Sequence, residues 1–202
     1  TPPRKDPQAE PPVASPVPSD QSRFLRGTLT HALLQHLPAL PRASWAAAAN
    51  AFLAARGAGL SAATLASIAA ETEAVLADPA FAPVFGPDSQ AEVPVVAVIP
   101  RPDGAGPPLR ITGQLDRLAV LDDGVLIVDY KTNRGAPRTL AGVAPAYLYQ
   151  LAAYRLALQD IVPGKPVRAA LLWTQGPHLM EIPNEILDSA TKDLWQLDTL
   201  PS

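Results

Sequence analysis

The stretch GQLDRLAVLDDGVLIVDYKTN, residues 113–133, decides the fold. Two aliphatic, β-rich runs flank Asp122-Asp123-Gly124, a turn signal that folds the second run back on the first as an antiparallel hairpin. Along the second run successive side chains alternate faces, so Asp129 and Lys131 project on the side that carries Val125 and Ile127. The turn brings Leu118 or Asp116 alongside Val128 to Tyr130, and Asp116 thereby reaches the same spot as Asp129. Acids and a lysine inside hydrophobic strands are either the solvated ion pairs of a hairpin end or a site built for charge. Two carboxylates on adjacent strand ends suit Mg²⁺, which takes one or two carboxylates together with water and phosphate oxygens. A lysine beside them orients or deprotonates a water and offsets charge developing on a phosphate.

Working outward, AEVPVVAVIP (91–100) supplies a strand before the hairpin, so three consecutive strands predict an antiparallel meander. YLYQLAAYRLALQDI (147–161) reads as helix, PVRAALLWTQ (166–175) and HLMEIP (178–183) as strands, and NEILDSATKDLWQL (184–197) as a closing amphipathic helix. Upstream, from Ser22 onward, Leu25, Leu29, Leu33 and Leu37 recur at helical spacing until Pro38 and Pro41, on a helix that carries His31 and His36. RASWAAAANAFLAARG (42–57) and LSAATLASIAAETEAVLAD (60–78) are alanine-rich helices, broken around Gly57 and Gly59 and closed by Pro79. This order predicts a mixed α/β fold: a helical region over 22–80, a central mixed sheet over 91–182 flanked by helices, and a C-terminal helix over 184–198. Residues 1–21 open on TPPRKDPQAEPPVASPVPSD, which holds seven of the 24 prolines and almost no large apolar side chain, and read as a disordered linker to a further domain upstream.

With 202 residues, 48% of them hydrophobic, the chain has enough material for one well-buried core. The formal charge of -3, from 16 basic and 19 acidic residues, advertises no general affinity for nucleic acid, so a polyanion would have to be held locally or delivered. The absence of cysteine excludes disulfides, zinc–thiolate sites and iron–sulfur clusters built from this chain's own side chains, and fits a reducing compartment. No apolar run is long enough to span a bilayer, and no signal peptide opens the chain; a cytoplasmic protein is expected.

Gly113-x-x-Asp116-Arg117-Leu118, the hairpin, Val128-Asp129-Tyr130-Lys131-Thr132 and then Gln150-x-x-x-Tyr154 together resemble the PD-(D/E)XK nuclease fold in its RecB/AddA branch, the C-terminal nuclease domain of bacterial helicase–nucleases. Gly27-Thr28-x-x-His31 resembles the G-x-x-x-H helix of that branch, and Glu92 stands at its first strand. The resemblance covers most of the chain from Arg23 to Met180. It implies a restriction-endonuclease-like core and Mg²⁺-dependent hydrolysis of DNA (Mn²⁺ as a substitute), with His31, Asp116, Asp129 and the Tyr130 backbone carbonyl as metal ligands. Asp116, Asp129 and Lys131 would be catalytic, with Gln150, Tyr154 and Glu92 in support. Arg117, Arg134 and Arg138 would be the nearest candidates for contact with DNA phosphates. It further implies single-stranded ends as substrate, a UvrD-like helicase domain upstream in the same full-length chain, an AddB-like partner subunit, and a role in double-strand-break repair in a bacterial cytoplasm. The lack of cysteine sets the chain apart from the branches that carry a four-cysteine iron–sulfur cluster. The alternative is a nuclease-like scaffold without activity that guides DNA or docks a subunit; the presence of His31, Asp116, Asp129 and Lys131 together favours the enzyme.

Overall fold

A computed structural model of the chain describes residues 18–133 and 135–197. The element order is α1 (Pro18–His36), α2 (Trp45–Arg56), α3 (Ala62–Ala77), β1 (Ser89–Ile99), β2 (Leu109–Leu121), β3 (Gly124–Lys131), α4 (Pro145–Ile161), β4 (Val167–Trp173), β5 (His178–Ile182) and α5 (Asn184–Leu197). Helix α1 begins four residues earlier than Ser22, because a proline in the first turn forfeits only an N–H that the helix would leave unpaired. Residues 18–21 of the expected linker are therefore helical, and the rest of that segment lies outside the described residues. Ser61 caps α3, its hydroxyl accepting from the Thr64 N–H.

The five strands form one sheet in the order β1-β2-β3-β4-β5. The expected meander is present, with Arg117 opposite Val128 and Leu118 opposite Ile127. Strand β4 pairs parallel to β3 and β5 returns antiparallel, so the sheet is mixed. A parallel neighbour requires a crossover, and α4 supplies it. At the start of β3, Gly124 has φ +148°, and a Cβ there would lie 2.3 Å from the Pro166 carbonyl oxygen, so only glycine permits the chain leaving α4 to pass so close.

Strand β3 is the middle of the molecule. Val125 and Ile127 pack with Leu151 and Leu158 of α4 and Leu187 of α5; Leu126, Val128 and Tyr130 pack on the opposite face with Leu34 of α1 and Val75 of α3. Cover on both faces explains the unbroken VLIV run, since neither face meets water. A third cluster joins the N-terminal helices through Leu29, Leu33, Leu53 and Ile68.

Strands β1 and β2 change faces where the chemistry will sit. Their register holds on either side, Ala91 opposite Arg117 and Val93 opposite Leu115, while the intervening Glu92 and Asp116 drop out of the ladder. Leu115 belongs to the α4 side of the sheet, whereas Arg117 and Ala119 turn to the α1 side, although residues two apart in a regular strand share a face. Glu92, at φ 54°, is the one non-glycine residue with positive φ among the described residues, and its left-handed backbone marks the switch.

Candidate active site

The face switch points Asp116 toward α1. His31 Nδ1 lies 3.1 Å from Asp116 Oδ1, and the Tyr130 N–H donates to Asp116 Oδ2 at 2.6 Å, so both carboxylate oxygens are oriented from two different elements. Glu92 completes the group: one donor atom from each of His31, Glu92 and Asp116 falls within 4.8 Å of the others. An imidazole and two carboxylates at that spacing are a donor set a divalent cation fits. The three residues line one wall of an open cleft of about 620 Å³, with Gly27, Thr28 and Thr132 beside them. Gly27 packs closely on the end of β3, where a Cβ would sit 3.2 Å from Thr132 Oγ1 and require that side chain to shift by a few tenths of an ångström.

Asp129 and Lys131 share the α4 face of β3 as the alternation predicts. Lys131 Nζ lies 2.5 Å from Asp129 Oδ2, and both side chains are largely buried. Asp129 thus turns to the lysine and stands outside the three-donor group of His31, Glu92 and Asp116, though its charge still reaches His31. Glu92 moves the other way, from a supporting position to one of the three donors.

The electrostatics follow from crowding negative charge in a partly dry place. Burial works to lower the His31 pKa, but the Asp116 hydrogen bond and the charges of Asp116, Asp129 and Glu92 outweigh it and hold the imidazole above its ordinary 6.5. Burial pushes the Asp129 carboxyl above its ordinary 3.8 despite the Lys131 ammonium. Burial and then the neighbouring Asp116 push Glu92 above 4.5, against the pull of His31 and His36. A cation beside His31, Glu92 and Asp129 would favour their deprotonated forms and relieve this crowding of negative charge.

Arg117 corrects an expectation. It is 3% exposed and faces inward: its Nε donates to the Tyr130 hydroxyl at 2.8 Å, Nη1 to Ser89 Oγ at 2.8 Å, and Nη2 to the Leu34 carbonyl at 2.8 Å, with the guanidinium 4.8 Å from the Phe85 ring centroid. With three of its five N–H groups tied up inside the fold and almost no surface exposed, this guanidinium is not presented to a DNA phosphate. Its effect is structural and local, because the Tyr130 ring it fixes stands edge-on to His31 at 5.4 Å. Arg134 lies outside the described residues, and Arg138 is exposed. Tyr154, on α4, packs over Gly113 so closely that a Cβ on Gly113 would lie 2.4 Å from the Tyr154 hydroxyl; Gln150 sits one turn earlier, half-buried. Tyr147, which is not among the site residues expected from the sequence, places its ring centroid 3.9 Å from Lys131 Nζ. Its position three residues before Gln150 and seven before Tyr154, on one helical face, is the signal that could have found it.

Comparison with protein families decides the identity of this arrangement. The family model described as the PD-(D/E)XK nuclease superfamily matches residues 8–198. The chain belongs to that superfamily. The five-stranded mixed sheet with its flanking helices is accordingly the restriction-endonuclease-like fold, and the protein is a nuclease-type hydrolase whose superfamily generally depends on divalent metal, for which His31, Glu92 and Asp116 are a donor group. No curated protein sequence matches this PD-(D/E)XK chain. Among solved structures it is similar to the one described as the crystal structure of SSO0001, with 13% identity, a TM-score of 0.37, and coverage of 90% of this chain and 88% of that one. That likeness is too loose to add to the argument. No helix among the described residues is long and apolar enough to cross a membrane.

Proposed function

We propose that the protein is a Mg²⁺-dependent deoxyribonuclease of the RecB/AddA type, which hydrolyses phosphodiesters in single strands delivered by a helicase during double-strand-break repair. The observation that carries this reading is the three-donor group of His31, Glu92 and Asp116 on the cleft wall, joined through the Tyr130 N–H to the end of β3 that carries the Asp129–Lys131 pair. Asp116, oriented through both oxygens, and His31 would hold the ion, with Asp129 and the Tyr130 carbonyl as the further ligands that the family resemblance implies. The ion supplies Lewis-acid polarisation of a phosphate oxygen. Lys131 presents its ammonium to the phosphate and offsets the charge that develops as a water attacks phosphorus and the leaving oxygen departs. Asp129 keeps that ammonium in place, with Gln150 and Tyr154 of α4 in the supporting part that the family resemblance implies.

The branch assignment rests on the ordered motifs around Asp116, Asp129, Gln150 and Tyr154. It brings with it a UvrD-like helicase upstream and an AddB-like partner, and delivery by a motor explains how a domain of net charge -3 can act on DNA without strong binding of its own.

The test is cleavage of linear single- and double-stranded DNA by the parent chain, Asp116→Ala, Asp129→Ala and Lys131→Ala, with Mg²⁺ or with EDTA. Metal-dependent cleavage is expected in the parent alone, with each substitution costing about 10³-fold or more. Undiminished cleavage in Asp129→Ala or Lys131→Ala would overturn the assignment of roles, and cleavage that persists in EDTA would overturn the metal.

A further inference from the structure

Lys131 is anchored in two ways. Its backbone is fixed by parallel pairing with Trp173 and by the Thr174 N–H, which donates to the Lys131 carbonyl at 3.1 Å. Its ammonium is fixed by two unlike partners, Asp129 Oδ2 at 2.5 Å and the ring of Tyr147, 3.9 Å from Nζ to centroid. Tyr147 stands in the first turn of α4, where its own N–H donates to the Ala144 carbonyl, so the ring is presented by a helix end already tied down. The two partners differ in what they consume. A carboxylate takes a hydrogen-bond donor and neutralises the charge, while an aromatic face attracts the cation and takes no donor. A flexible lysine held by a second acid would have little left to offer a phosphate; one held by a ring retains donors and charge.

We propose that Tyr147 is a positioning residue, whose ring face localises the Lys131 ammonium at the end of β3 and leaves its remaining N–H donors for the substrate phosphate. The inference rests on the reading of Lys131 as the catalytic lysine, and it concerns the ring and not the hydroxyl.

The test is steady-state cleavage of linear single-stranded DNA with Mg²⁺ by the parent, Tyr147→Phe, Tyr147→Leu, Lys131→Ala and the double variant Lys131→Ala/Tyr147→Leu. Proton NMR of the Lys131 ε-methylene is recorded on the parent and both Tyr147 variants. Tyr147→Phe should keep kcat within about twofold and Tyr147→Leu should lower it about tenfold with KM nearly unchanged, the size a partly desolvated cation–π contact allows. In the Lys131→Ala background the leucine substitution should cost nothing further. The Lys131 ε-protons should be shifted upfield by the ring in the parent and in Tyr147→Phe, and not in Tyr147→Leu. Should Tyr147→Leu fail to fold, the parent and phenylalanine spectra still decide, since ε-protons at ordinary positions in either would overturn the proposal. Parental kcat in Tyr147→Leu beside an inactive Lys131→Ala would overturn the role of Tyr147 alone, as would a Tyr147→Phe as impaired as the leucine variant. A parent that cleaves no DNA, or a Lys131→Ala that cleaves as well as the parent, would overturn the reading of Lys131 and this inference with it.

Discussion

Arg117 illustrates how a charged side chain can be part of the core and of the site together. Its three donated hydrogen bonds end on Tyr130, Ser89 and Leu34, one of them on the residue whose backbone N–H orients Asp116. Arg117→Met keeps the volume and removes every donor, leaving a buried hydroxyl and a buried carbonyl unsatisfied. It should destabilise the fold by about 3 kcal/mol, read as a lower midpoint in urea denaturation. A midpoint unchanged from the parent would mean that water reaches those groups. An arginine in direct contact with DNA would instead lower affinity without touching the midpoint, so the same variant separates the two roles.

At the scale of elements, the contact between β2 and α4 runs through Gly113 and Tyr154. Gly113→Ala forces a methyl against the Tyr154 ring and should cost about 1–3 kcal/mol in stability. Combining it with Tyr154→Ala should give a loss smaller than the sum of the two single losses, and strict additivity in that double-mutant cycle would refute the contact. Gly113 and Tyr154 were both legible in the sequence as motif positions, yet their contact was not, because spacing within one segment says nothing about which distant segment lies on top. The same limit explains the larger misreadings. Alternation along β3 put Asp129 and Lys131 on one side correctly, since that strand is regular. The hairpin register brought Asp116 alongside Tyr130 as expected, but the burial of Arg117 and the turn of Glu92 toward His31 were not legible, because they follow the left-handed backbone at Glu92 where the two strands change faces. A positive φ at a glutamate leaves no trace in composition or periodicity. The meander, the crossover helix and the closing helix were legible because their hydrophobic periods are strong and their ends carry Gly or Pro; α1 was placed four residues short because proline marks a first turn as readily as a linker.

For the whole molecule, the cluster makes stability depend on pH and on metal together. His31, Glu92 and Asp129 each have a folded pKa above the unfolded value, so each contributes stability that is full below its ordinary pKa and lost as pH rises through the folded one. Losses from the carboxyls begin above 3.8 and 4.5, and that from the imidazole above 6.5. In EDTA, the advantage of Glu92→Gln over the parent in thermal denaturation should therefore widen as pH rises from about 4 to about 8; a constant gap would mean that the Glu92 charge is not felt. Because His31 must give up its proton to bind an ion, Mn²⁺ affinity should increase between about pH 6 and about pH 8, measured by titration calorimetry, and a flat profile would remove His31 from the ligand set. The hydrogen bond between His31 and Asp116 spans 85 positions of chain, whereas Asp116 and Tyr130, joined across one hairpin, are 14 apart. The hairpin closes a short loop and the docking of α1 a long one, so the Asp116–Tyr130 half of the site is expected to assemble before the His31 imidazole joins it. On that expectation the capacity to capture an ion comes late, and a stopped-flow refolding experiment should see Mn²⁺ uptake lag behind the formation of the sheet; uptake in step with the sheet would refute this order.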